Sequence, residues 1–190
     1  MPVELARSVC VFCGSQAGRR PIYAEAARNL GRALAEDGYR LVYGAGDVGL
    51  MGEVARAALD VGGKTFGVVP KHLIDREKGK RDLGHLVVTE TMHERKKVMF
   101  MNAHAIVALP GGPGTLDELF EVLTWRQLGL HAKPVFLLNV GGYWDPLLAL
   151  IEHILQEGFA ERAFGAYLEP VATVPALMER LARSLTARPD

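Results

Sequence analysis

The residues with the clearest chemistry lie in one run, Pro110-Gly-Gly-Pro-Gly-Thr-Leu-Asp-Glu118, directly after the apolar stretch Ala105-Ile-Val-Ala-Leu109. Glycine lets a backbone approach a ligand with no Cβ in the way. A helix that begins there offers unpaired N–H groups and a partial positive charge, and together these suit a phosphate. No Gly-Lys-Ser/Thr follows, so the run is not a Walker-type loop. Thr115-x-x-Glu118 also has the form of a capping box, with Thr115 as N-cap and Glu118 tied to the helix end. The two readings compete, because a carboxylate engaged as a cap cannot also face a substrate.

A second element, Met92-His-Glu-Arg-Lys96, places Arg95 and Lys96 in the early turns of a helix. Basic residues there oppose the helix dipole, so a phosphate or carboxylate partner accounts for them better than local stability does. A solvated charged face is the plainer alternative. A third element, Tyr43-Gly-Ala-Gly-Asp-Val-Gly49, contains a literal G-x-G-x-x-G. A dinucleotide site wants an acid near the end of the next strand. Here that strand ends Gly-Val-Val-Pro-Lys71, which disfavours NAD or FAD and leaves close approach to a nucleotide open. Cys13-Gly14-Ser15 is either a further small-residue wall or a plain loop.

The six histidines show no metal-binding spacing, so no metal is expected. Cys10 and Cys13 form a C-x-x-C, but residues three apart on a strand point to opposite faces. They read as core or loop thiols rather than a redox or zinc pair.

These groups must be positioned by strands and helices in alternation. Apolar periodicity predicts strands at 8–12, 40–43, 64–69, 86–89, 105–109 and 134–138, with an edge strand at 170–173. Helices are expected over 22–37, 50–61, 92–102, 115–128, 144–156 and 175–185, and a charged loop over 70–86. Nearly continuous apolar strands between helices indicate an α/β fold: a Rossmann-like, doubly wound, mostly parallel sheet with helices on both faces. Such sheets bind ligands beyond the carboxyl ends of their strands, which is where the three glycine turns fall.

At 190 residues the chain suits one nucleotide-binding α/β domain spanning 1–190. Its 22 basic and 22 acidic side chains cancel, against the basic excess usual for proteins that bind nucleic acid. The N-terminus lacks the apolar core of a signal peptide, and no apolar run is long enough to span a bilayer. A cytoplasmic protein with neither nucleic-acid nor membrane partner is expected.

Met92-His-Glu-Arg-Lys96, Pro110-Gly-Gly-Pro-Gly-Thr-Leu-Asp-Glu118, Thr124-Trp-Arg-Gln-Leu-Gly129 and Lys133-Pro-Val together resemble the LOG (Lonely Guy) family. Its members are cytokinin riboside 5′-monophosphate phosphoribohydrolases, long mislabelled as lysine decarboxylases. The resemblance runs from Val9-Cys-Val-Phe-Cys-Gly-Ser15 to about Gly158. It implies a Rossmann-like homodimer, without a cofactor, that cleaves the bond between N6-modified adenine and ribose 5′-phosphate. By the same resemblance Arg95 and Glu118 take the catalytic places, and Gly112, Gly114 and Thr115 the phosphate-turn places. Pro113, Leu116 and Asp117 complete that substrate-binding run. Lys96 and Thr124 match ligand-contact positions, as does Glu77 in a loosely aligned loop. This chain departs from the family pattern at Ala45, where glycine is usual, at Pro113, where an aromatic residue is usual, and at His104, where an acid is frequent.

These residues suit hydrolysis of an N-glycosidic bond. The phosphate sits on the 112–115 turn, with Arg95 or Lys96 neutralising it. Glu118 stabilises positive charge on the ribose and orients or deprotonates water. Arg95 instead stands beside the leaving base or Glu118 in a second arrangement, holding the carboxylate ionised. The alternatives to a cytokinin-activating enzyme are a general AMP nucleosidase and a nucleotide-binding protein without turnover.

Overall fold

Strands form in this chain where apolar residues run without a break. β1 (Ser8–Phe12), β2 (Arg40–Tyr43), β3 (Thr65–Pro70), β5 (Ala105–Ala108) and β6 (Val135–Leu138) are buried along essentially their whole length. The remaining strands, β4 (His85–Thr89) and β7 (Glu169–Val171), are more exposed because they form the two edges. The computed structural model describes residues 7–74 and 84–186.

The seven strands form one sheet in the order β4-β3-β2-β1-β5-β6-β7, and every adjacent pair is parallel. Burial on both faces explains the apolar runs. One core joins Val9, Val11 and Cys13 to α1 (Pro21–Glu36), α2 (Gly49–Asp60) and α7 (Val174–Thr186). The other joins Cys10 and Phe12 to α3 (Met92–Met101), α4 (Pro113–Gln127) and α5 (Asp145–Gln156). Cys10 and Cys13 therefore do lie on opposite faces of the sheet, both free and buried.

Winding reverses between β1 and β5, so the chain builds outward in both directions from β1. The turns after β1, β2, β5 and β6 all gather at the same edge of the sheet, next to this switch point. Several details differ from the pattern read in the sequence. Helix α4 begins at Pro113, two residues earlier than expected, β4 and β7 each begin one residue earlier, and the short helical pieces Lys71–Leu73, Val140–Gly142 and α6 (Arg162–Gly165) are too brief to leave a periodic signal. Among the described residues no helix is long and apolar enough to cross a membrane.

Candidate active site

The turns at the switch point are laced together by backbone bonds. Gly14 N–H donates to the Pro110 carbonyl at 3.0 Å, and Leu50 N–H donates to the Gly14 carbonyl at 3.0 Å. They enclose a cavity of about 610 Å³, within the usual range for a small-molecule site. Its walls include Gly112, Gly114, Thr115, Asp117, Glu118 and Arg95, brought from the turn after β5 and from α3.

The start of α4 settles the competition over Glu118. Gly112 is the N-cap, with φ −95° and ψ −154°, and Pro113 is the first helical residue. Proline suits that place because its missing N–H would be unpaired in any case. Thr115 is therefore the third residue of the helix and not its cap, and no side chain caps this end. Its hydroxyl is buried against Gly111, where an added Cβ would stand only 2.0 Å from Oγ1. The capping-box reading of Thr115 and Glu118 is thus corrected. The box forms instead on α3, where Thr91 Oγ1 accepts from Glu94 N–H at 3.1 Å and Glu94 accepts from Thr91 N–H at 3.2 Å. The first turn of α4 has no side-chain cap, and a Cβ at Gly112 or Gly114 would meet nothing within 4 Å.

Glu118 follows one turn along the same helix and lines the cavity. Burial pushes its carboxyl up to about 7, against the opposing pull of the Arg95 guanidinium; the neighbouring Asp117 charge adds to the rise. A carboxylate poised near neutral pH in a cleft is the form an acid–base group takes.

Arg95 is only 6% exposed. Its Nε donates to the Val68 carbonyl at 3.1 Å, and Nη2 donates to the Gly44 carbonyl at 2.9 Å. The two carbonyls lie at the carboxyl ends of β3 and β2, so the guanidinium is riveted to the sheet. Its remaining nitrogen, Nη1, faces Met92 Sδ at 3.8 Å. The charge reaches both the cavity and Glu118.

Other residues marked in the sequence are placed elsewhere. Lys96 does not line the cavity; it is buried between α3 and α4, 2.9 Å from Asp117 and 3.0 Å from Glu121. The two carboxylates hold its ammonium above its ordinary range despite burial. Of the two cations, it is Arg95 that borders the cavity. Leu116 and Thr124 line a shallower groove on the outer face of α4, shared with Asp117 and Trp125, and not the cavity with Glu118. Pro113 stands exposed at the cavity rim. Glu77 lies outside the described residues.

The G-x-G-x-x-G turn after β2 turns out to serve protein contacts. A Cβ on Gly44 would stand 1.9 Å from Arg95 Nη2, one on Gly46 2.7 Å from Met51 Cε, and one on Gly49 2.3 Å from the Ser15 backbone. Ala45, between the first two, has φ +58° and is the single non-glycine in the left-handed region among the described residues.

Sequence reasoning missed Tyr143. It stands at the far end of the turn after β6, and its hydroxyl donates to the Gly111 carbonyl at 2.6 Å. No local motif marks it; only the topology, which puts β6 beside β5, could have pointed to it.

Known proteins resemble this chain in sequence and in fold. Residues 51–181 match a family model described as "Possible lysine decarboxylase". The cytokinin riboside 5′-monophosphate phosphoribohydrolase LOG of Oryza sativa subsp. japonica is 51% identical over 153 residues, 80% of this chain and 63% of that protein. The corresponding LOG2 protein of Arabidopsis thaliana is 44% identical over 175 residues, 92% of this chain and 82% of that one. Among solved structures, a molybdenum cofactor carrier protein from Chlamydomonas reinhardtii superposes with a TM-score of 0.73 at 23% identity, covering 97% of this chain and 100% of that chain. At that identity the likeness concerns the fold alone.

Proposed function

The chain belongs to the LOG family of cytokinin riboside 5′-monophosphate phosphoribohydrolases, and on that premise we propose how its own residues carry out the reaction. The enzyme is a glycosidase-type hydrolase. It cleaves the N-glycosidic bond of N6-modified adenosine 5′-monophosphates to free base and ribose 5-phosphate, the step that activates a cytokinin.

In this reading the 5′-phosphate rests on the amides at the start of α4, over Gly112 and Gly114. That places the ribose further along the helix, toward Glu118. As the bond to the base lengthens, positive charge develops on the sugar, and the Glu118 carboxylate stabilises it. The same carboxylate orients the attacking water and takes its proton. Arg95 holds Glu118 toward its ionised form and balances the phosphate. Lys96, paired with Asp117 and Glu121, fastens α3 to α4 and so fixes where Glu118 stands. The observation that carries this reading is that one helix supplies both the open glycine start and, one turn on, a carboxyl poised near pH 7.

The test is incubation with a panel of 5′-nucleotides, scored for free base and ribose 5-phosphate. Release from N6-isopentenyl AMP well above that from AMP is the expected result. Equal release would make the protein a general AMP nucleosidase, and tight AMP binding without release would remove the enzymatic reading.

We further propose that the protein works as a homodimer in the cytoplasm. Met101, Leu128 and Leu130 are each about two-thirds exposed where α3 and α4 end, beside the Phe100–Trp125 ring pair, and solvent is a poor partner for such a patch. Two free thiols fit a reducing compartment. Mass in solution tests the dimer.

A further inference from the structure

The phosphate-binding turn is held from behind by a residue that no motif marks. Tyr143 Oη donates to the Gly111 carbonyl at 2.6 Å, and Gly111 immediately precedes the N-cap of α4. A trans peptide points its C=O and the next N–H in opposite directions. With the Gly111 carbonyl drawn to Tyr143, the Gly112 N–H is aimed to the other side of the turn. Tyr143 lines a lesser cavity of about 270 Å³ that shares Gly112 and Pro113 with the main one. Glu118 lines the main cavity and not the one that Tyr143 lines.

The tyrosine is itself firmly set. Its ring stands edge-on to Tyr23, with centroids 5.4 Å apart, and edge-on to Trp144 at 4.8 Å. Arg20 bonds both the Tyr23 hydroxyl, at 3.4 Å, and the Gly141 carbonyl, at 3.2 Å. Gly141 and Gly142 both take positive φ, 57° and 74°, to swing the loop upward. Asn139 then pins its far end, accepting from Trp144 N–H at 2.7 Å and donating to Asp145 at 2.7 Å. So much fixation for one loop is unnecessary if the ring serves only to fill space.

We propose that Tyr143 is the positioning residue of the phosphate turn: its hydroxyl fixes the Gly111 peptide so that the amide donors at the start of α4 converge on the substrate's phosphate. It touches no reacting atom. The inference rests on the placement of the phosphate given above.

The experiment uses Tyr143→Phe in the full chain, which keeps the ring and its packing. Inhibition of N6-isopentenyl AMP cleavage is measured with inorganic phosphate and, separately, with adenosine, which lacks the phosphate. Loss of one neutral hydrogen bond predicts a phosphate inhibition constant raised about 3- to 10-fold and a KM for N6-isopentenyl AMP raised similarly. The adenosine constant and kcat stay within about twofold. Equal constants for phosphate in both proteins would overturn the role of Tyr143. So would a parallel loss for phosphate and adenosine, which marks general loosening. Failure of phosphate to compete in the unmodified protein would bring down the phosphate placement itself, and this inference with it.

Discussion

The turns after β2 and β5 are both rich in glycine, and they need it for opposite reasons. After β2, Gly44, Gly46 and Gly49 are small because protein lies where their side chains would be: a guanidinium, a methionine and a neighbouring backbone. After β5, Gly112 and Gly114 have nothing before them. The first turn is glycine-rich to let the protein close on itself; in the second, Gly111 is packed against Thr115 in the same way, but Gly112 and Gly114 leave room for something that is not protein. In the sequence the first matches the better-known fingerprint, yet of the two it is the second whose glycines line the cavity. A glycine motif becomes evidence for a ligand only when the space its side chains would fill is open.

The largest effect expected at the open turn is that of Glu118→Gln. Turnover should fall by about 10²-fold or more, the usual scale for a placed acid–base group. Near-normal turnover would return Glu118 to a structural part. The same variant carries a pH signature. The folded carboxyl sits at about 7, above its ordinary 4.5, so its proton binds more tightly in the folded chain. The contribution of this carboxyl to stability is therefore fully present below about 4.5 and is lost as pH rises through about 7. Glu118→Gln lacks this decline and should melt higher than the parent at pH 8. In the parent, kcat/KM should fall as pH drops below about 7, where the base becomes protonated. A pH profile without that limb would remove Glu118 as the base.

Next in size is a pair of substitutions that sets the two turns against each other. Gly44→Ala forces a methyl into the Arg95 guanidinium and should cost about 1–3 kcal/mol by denaturant titration, with activity falling as Arg95 shifts. Gly114→Ala meets no protein atom and lies inside α4, where alanine favours helix by about 0.5–1 kcal/mol. It should leave the fold as stable as before or more so, while KM for the nucleotide rises about tenfold, roughly the 1.4 kcal/mol that links affinity to free energy. Stability changes of the same sign would erase the distinction between the turns.

The smallest effect belongs to Ala45. A left-handed alanine costs about 1–2 kcal/mol, part of which glycine gives back through its freer unfolded chain. Ala45→Gly should therefore raise stability by less than about 1 kcal/mol and leave kcat unchanged. A loss of stability would mean that the buried methyl contributes more through packing than the φ of +58° takes away.

How far the sequence was legible depended on how local each signal is. The unbroken apolar residues of β1, β5 and β6 announce doubly covered parallel strands without help from elsewhere. The opposite orientation of Cys10 and Cys13 follows from strand geometry alone. The start of α4 is harder to read because Thr115-x-x-Glu118 imitates a capping box, whereas Pro113 opens the helix and its cap, Gly112, needs no side chain. Lys96 illustrates the harder failure. Its type suggests a phosphate partner, but its companions Asp117 and Glu121 lie on another helix, four apart and thus on one face. Only the packing of α3 on α4 makes that pairing visible. Tyr143 is hidden for the same reason, since its partner Gly111 lies in a different turn.

The two carbonyls that grip Arg95 have a consequence for how fast and how tightly a nucleotide can be held. A long cationic side chain on a surface must surrender its rotational freedom when an anion arrives, and affinity is reduced accordingly. This one was immobilised when β2 and β3 came together. Its field already points into the cleft before any visitor enters, as an oriented dipole does in a preorganised solvent cage.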